Sequence, residues 1–229
     1  MSTPENNNND ETPKGLIRQM LSSSGLLVIF AIAASLLLAL TWQQTAPLIE
    51  ANEKAIVTES LNEIITADEH DNALLDSAIE INSAELGHQQ PMTAYRAYNN
   101  ENPVAVLLPV VAPDGYNGAI NLLVGIYADG TLAGVRVVRH RETPGLGDKI
   151  ELRRSDWITR FAGKSLGDPK QQGWAVKKDG GEFDAFTGAT ITPRAVVKAV
   201  HRALLYFKAN QQNLFGVVTA DNPSTPDPS

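Results

Sequence analysis

From residue 21 to residue 41 the chain reads LSSSGLLVIFAIAASLLLALT, with no charged residue. As a helix, that run has about the 20 residues needed to cross the hydrocarbon core of a bilayer. Serines thin its start, so the strongest apolar stretch is 25–40. Past Pro47, residues Leu48, Ile49, Ala55, Ile56, Leu61, Ile64 and Ile65 recur at helical spacing. Glu50, Glu53, Lys54, Glu59 and Glu63 stand between them, which predicts an amphipathic helix ended by the polar stretch 68–71. From Tyr95 the period shortens. Segments 104–111, 120–128 and 132–139 are short, apolar and rich in β-branched residues, and Asp114-Gly115 and Asp129-Gly130 separate them as turns. They predict three strands of a mostly antiparallel meander. Residues 150–161 return to helical spacing through Ile150, Arg154, Trp157, Ile158 and Phe161, and 174–177 suggests a further strand. A helix is predicted over 193–207, with Val196, Val200, Leu204 and Phe207 on one face, Thr192 as N-cap and Pro193 in its first position.

The first fifteen residues and the Pro/Ser-rich tail after Val218 are polar and predict disorder. Lys14 and Arg18 precede the apolar run, Glu50 and Glu53 follow it, and Trp42 stands where an interfacial aromatic belongs. The positive-inside rule then puts the N-terminus in the cytoplasm and the bulk of the chain across the membrane. A cleaved signal peptide is the competing reading. Against it, the run is long enough to span and no small-x-small cleavage site follows it. The fold class expected is α+β: a single N-terminal transmembrane helix, then a domain with a mostly antiparallel sheet and flanking helices. The expected divisions are a tail at 1–20, the transmembrane helix at 21–42, a connecting helical region at 43–92, the main domain at 93–216 and a disordered tail at 217–229.

Composition removes several functions. The chain has 229 residues, a net charge of −7 and no cysteine. The acidic balance and the absence of a basic cluster argue against nucleic acid as a partner. Without cysteine there are no disulfides, thiolate zinc sites, iron–sulfur clusters or thiol nucleophiles. His70, His88, His140 and His201 are scattered without ligand spacing, so no metal site is expected. Ala162-Gly163-Lys164-Ser165 ends like a phosphate-binding loop, but Ile158 stands where that pattern needs glycine. Gly145-Leu146-Gly147 begins like a dinucleotide fingerprint, yet Ile150 follows and no βαβ unit surrounds it.

Two segments are dense in glycine, threonine and charge. Residues 139–149 (RHRETPGLGDK) link a predicted strand to a predicted helix, and Pro144, Gly145 and Gly147 dictate a tight turn whose backbone can approach a ligand. Residues 184–193 (DAFTGATITP) are a small-residue loop that delivers Thr190 just ahead of a helix, where free amides and the dipole favour an anionic group. By physics alone, an ordinary connection and an ordinary capping loop remain equally good readings.

The Thr187-Gly188-Ala189-Thr190 sequence, with Asp184 ahead of it, resembles the flavinylation motif of FMN-binding domains. Glu142-Thr143-Pro144-Gly145-Leu146-Gly147 resembles the second signature of that family. The order of parts is similar to that of the G subunits of Rnf (Rsx) ion-translocating electron transport complexes, relatives of the C subunits of sodium-pumping NADH:quinone reductases. Ala185 departs from the motif, which commonly has glycine there. The resemblance implies FMN joined covalently to Thr190 through a phosphoester, attached by a flavin transferase with FAD as donor. Asp184 would serve recognition by that enzyme. Glu142, Thr143, Gly145, Leu146, Gly147, Phe186, Thr187, Gly188 and Ala189 would surround the cofactor.

It further implies a single-pass protein of the bacterial inner membrane whose periplasmic domain contacts other subunits of the complex and membrane lipid. Electrons would pass between ferredoxin-like donors and NAD, or keep a redox sensor reduced. No acid–base pair or nucleophile points to independent turnover. The competing functions are a non-redox membrane-tethered binding protein and a freestanding flavin reductase.

Overall fold

The computed structural model describes residues 13–216. Of the two tails expected to be disordered, residues 1–12 and 217–229 lie outside the described residues. The chain divides into two units, 1–54 and 55–229, and the division falls inside the first helix, α1, Pro13–Ile64. In the first unit the apolar run is Leu27–Ile49, of mean hydropathy 1.8, with none of it buried. It is long and apolar enough to cross a membrane. The break in the pattern at Pro47 does not break the helix. Proline removes one backbone donor, while flanking residues keep helical spacing on both sides. Upstream of it, the Thr41 and Thr45 hydroxyls donate back to the carbonyls of Leu37 and Thr41, each at 2.8 Å, so neither polar group faces an apolar surrounding unpaired.

The second unit is built on a five-stranded antiparallel meander in sequence order: β1 Ala78–Ile81, β2 Met92–Asn99, β3 Asn102–Ala112, β4 Ile120–Tyr127 and β5 Leu132–Arg139. The three strands expected from periodicity are β3, β4 and β5. The first two were not legible. AIEI is too short to show alternation, and β1 lies in the connecting region 43–92, past the polar stretch 68–71 that ends the predicted helix; its definition comes from pairing with β2.

Alternation along β3 sends its residues to two faces. Val106, Leu108, Val110 and Ala112 join the larger core under α2, Ile191–Leu214. Ala105 and Leu107 join Leu61 and Ile64 from the end of α1, and Ile65 just past it, on the other face. That second contact depends on a glycine pair. Gly125 and Gly134 are cross-strand partners, and a Cβ on Gly125 would stand 2.3 Å from Ile64 Cγ2. The bare backbone is the slot into which Ile64 fits.

Segment 150–161 is not one α-helix. It holds the end of one 3₁₀ turn, Gly147–Ile150, and a second, Asp156–Phe161, whose start is capped by Ser155 accepting from the Trp157 amide at 3.1 Å. Ile150, Trp157, Ile158 and Phe161 are buried regardless, because three-residue spacing serves a 3₁₀ helix as well. Residues 174–177 form no strand. Val176 makes an isolated bridge to Phe183, and the flanking residues curl into 3₁₀ turns. The phosphate-loop look-alike is a turn docked on β5, where Gly163 N donates to Leu132 O and Leu132 N to Lys164 O.

Candidate functional site

The loop after β5 is closed by its own backbone. The amides of Leu146 and Gly147 both donate to the Thr143 carbonyl, at 3.1 and 3.0 Å, and Gly145 takes φ +79° at the turn. Gly147 is needed for room: a Cβ there would meet Glu142 Oε2 at 2.8 Å and Thr192 Oγ1 at 3.0 Å.

That crowding marks the centre of the site. Glu142 is 4% exposed, and each of its carboxylate oxygens accepts a hydrogen bond. Oε2 accepts from the fully buried Thr192 hydroxyl, and Oε1 from the Asn117 amide at 3.1 Å. The Asn117 side chain also donates to Thr143 Oγ1 at 3.1 Å. One carboxylate thus ties together the β3–β4 turn, the loop after β5 and the first turn of α2. Its own amide donates to His140 Nδ1 at 3.0 Å, and the other ring nitrogen, Nε2, donates to Glu151 at 2.6 Å. An imidazole accepting at Nδ1 and donating at Nε2 is the neutral Nε2–H tautomer.

The second loop turns at Gly188, φ +83°, where Ala189 N donates to Phe186 O at 3.1 Å. Phe186 is buried and meets Trp157 edge-on at 5.2 Å between centroids, so it anchors the loop in the core. The Asp184 carbonyl accepts from Trp157 Nε1 at 2.8 Å. Its carboxylate pairs with Lys177 at 2.7 Å and Arg160 at 3.2 Å, and the Lys177 hydrogen bond holds it below the usual carboxylate range. The helix starts two residues earlier than expected. Thr190, not Thr192, is the N-cap; Thr192 has turned inward to Glu142, and Pro193 sits third, where its missing N–H still leaves no bond unmade. Thr190 has helical backbone angles (φ −78°, ψ −25°) and makes no side-chain capping hydrogen bond. An N-cap threonine ordinarily takes extended angles and caps the helix with its hydroxyl.

Between these loops lies a cleft of about 290 Å³. Of the residues expected around a cofactor, Glu142, Thr143, Leu146, Gly147, Gly188 and Ala189 line it, and so does Thr190. Gly145, Thr187 and Phe186 do not, and neither does Asp184, expected to serve recognition by the transferase. Tyr116, Ile191 and Thr192 complete the wall; sequence reasoning missed all three as site residues and read Thr192 only as a helix cap. Tyr116 is 65% exposed on the β3–β4 turn, and with Leu146 and Ile191 it makes an apolar rim. The only signal for it was a turn motif, Asp114-Gly115, whose place beside the other loops depends on the Glu142–Asn117 bond. No lysine, arginine or histidine is among the lining residues.

The cleft suits FMN on two observations: Thr190 stands in its wall with a hydroxyl that makes no capping bond, and a Cβ on Gly188 would meet only Leu146 Cδ2, at 3.6 Å, leaving room beside the threonine. Residues 115–205 match the FMN-binding domain, and residues 13–64 match the RnfG N-terminal region. The G subunit of the ion-translocating oxidoreductase complex of Vibrio atlanticus is 51% identical over 195 residues, covering 85% of this chain and 93% of that protein. Its counterpart in Pseudomonas aeruginosa is 51% identical over 198 residues (86% and 92%), and that of Shewanella loihica 49% over 198 residues (86% and 93%). With about half of the aligned positions identical over nearly the whole length of such relatives, the chain belongs to the family of G subunits of ion-translocating oxidoreductase complexes.

Proposed function

We propose that this chain is the FMN-carrying electron-transfer subunit of a membrane-bound, ion-translocating oxidoreductase complex, and that it holds FMN as a phosphoester of Thr190. The family supports the redox role, and the match to the FMN-binding domain supports the cofactor. The observation that carries the attachment site is the uncommitted Thr190 hydroxyl, in the wall of the cleft at the N-terminus of α2. The amides of that first turn and the helix dipole favour a phosphate beside Thr190.

In the attachment, Thr190 Oγ forms a bond to the flavin-side phosphorus of FAD. The pyrophosphate P–O bond breaks, AMP leaves, and the hydroxyl proton passes to a base of the flavin transferase. Bound FMN supplies one- and two-electron chemistry, and the protein supplies position and field. Leu146, Ile191 and Tyr116 would offer the ring a partly exposed apolar seat, which would suit transfer to a neighbouring protein of the complex. Glu142 and Thr192 fix the helix start that carries Thr190. Asp184, half-exposed and ion-paired, serves recognition by the transferase.

The domain division follows the same reading. A tail at 1–20 lies in the cytoplasm, a helix at 21–42 crosses the inner membrane, 43–92 connects, and 93–216 forms the periplasmic FMN domain ahead of the 217–229 tail. Lys14 and Arg18 before the apolar run support the orientation. The other subunits of the complex and membrane lipid are the partners.

The test is expression of the full chain with a flavin transferase, denaturation, and in-gel flavin fluorescence beside Thr190→Ala. Fluorescence that survives denaturation and vanishes in the variant is expected. A dark wild-type band, with the transferase active on a control, sinks the attachment. On the same gel Asp184→Ala should load poorly, and full loading would remove its recognition role.

A further inference from the structure

The wall of the cleft holds a buried carboxylate and no cationic side chain. Sites for phosphate monoesters ordinarily offer arginine, lysine or free amides to a charge near −2. Here the Gly147 and Leu146 amides are taken by Thr143, and the Asn117 amide and the Thr192 hydroxyl by Glu142, so the amides that open α2 are what the cleft offers a phosphate, enough to favour one negative charge and not two. The donors around Glu142 are those an ionised carboxylate accepts, so the first turn of α2 already faces one negative charge. A second anion in the same partly buried cleft is repelled, and the repulsion grows with its charge.

We propose that Glu142 is a charge filter: it excludes flavins with a free phosphate dianion and admits those whose phosphate is a monoanionic diester, the form FMN takes once esterified to Thr190. This rests on Thr190 being the attachment point and explains what a covalent bond achieves there. A cleft that repels free FMN retains it only through the bond, and rejects free FMN from solution as a competitor for an unloaded site. The isoalloxazine ring is common to all candidate ligands, so selection lies in the phosphate alone.

The experiment uses the full chain carrying Thr190→Ala, which removes the acceptor oxygen and makes room for a substituent on the phosphate. Binding of riboflavin, FMN and the methyl diester of FMN is measured by quenching of flavin fluorescence. Riboflavin and the diester are each expected to bind at least about tenfold more tightly than FMN, the scale of one extra charge facing a carboxylate across a partly buried site. Adding Glu142→Gln should bring the three affinities together. Glutamine still accepts from the Asn117 amide and can donate to the Thr192 hydroxyl, so the loops stay tied. The readout is a ratio of ligands, which a general loosening of the cleft leaves unmoved.

FMN binding as tightly as riboflavin or the diester overturns the filter. So does a ratio that survives Glu142→Gln, and so does failure of all three flavins to bind, since charge would then not be what decides. The comparison of the three ligands needs no Glu142 variant, so a misfolded glutamine chain does not protect the idea. A dark gel for the wild type would instead strike the attachment reading, independently of these ratios.

Discussion

Replacing Thr192 by valine keeps the side chain's shape and removes one hydroxyl. Thr192 is fully buried, and its hydroxyl is one of two donors to a carboxylate that is itself 4% exposed. In the variant Glu142 Oε1 keeps the Asn117 amide at 3.1 Å, while Oε2 is left facing a methyl group. A hydrogen bond to a charged group contributes roughly 1.5–3 kcal/mol. Valine fills the space, so no cavity adds to that, and a loss of about 2 kcal/mol is expected. For a unit of the size of 55–229 this lowers Tm by about 4–8 °C. The assay is urea unfolding of the unloaded full chain in detergent, followed by tryptophan fluorescence, since Trp157 and Trp174 lie in the core of that unit. Repeating it with Glu142→Gln completes a double-mutant cycle, and a neutral partner should cut the cost of Thr192→Val below about 1 kcal/mol. A Thr192→Val chain within about 0.5 kcal/mol of wild type, or the same cost in both backgrounds, would refute the idea that this carboxylate holds the three segments together.

Gly125→Ala should cost about 1–3 kcal/mol by overpacking against Ile64 Cγ2, and Ile64→Ala in the same chain should recover part of that loss; additive costs by the same urea titration would deny the close contact. Burial and a 2.6 Å hydrogen bond to Glu69 push the Tyr127 hydroxyl up to about 12. Being raised above the ordinary value of 10, it stabilises the fold fully below pH 10, and that stability is lost as pH rises from 10 through 12. Tyrosinate absorbance should show a component near pH 12 that disappears in Tyr127→Phe, beside Tyr95 and Tyr206, which burial also raises; an unchanged titration would discard the pair.

Local chemistry determined much of this protein from the sequence alone. Three strands, the long α2 face of Val196, Val200, Leu204 and Phe207, and the apolar run of α1 are periodic over enough residues for burial to be read off spacing. The two loops were legible because Gly145 and Gly188 sit at positive φ, a constraint that acts within a few positions. β1 and β2 were not, because AIEI has no pattern until β2 pairs with it. The start of α2 was misplaced by two residues for a related reason. Thr192 has the right side chain to cap, and only a glutamate 50 residues away draws it inward and moves the cap to Thr190. Tyr116 and Asn117 lay in what read as a plain turn, and nothing local says that its amide meets Glu142. Secondary-structure periods and turn residues are written in neighbours along the chain. Which loop faces which, and whose hydroxyl is left free, follows from hydrogen bonds between segments far apart in sequence, and those only the tertiary structure decides.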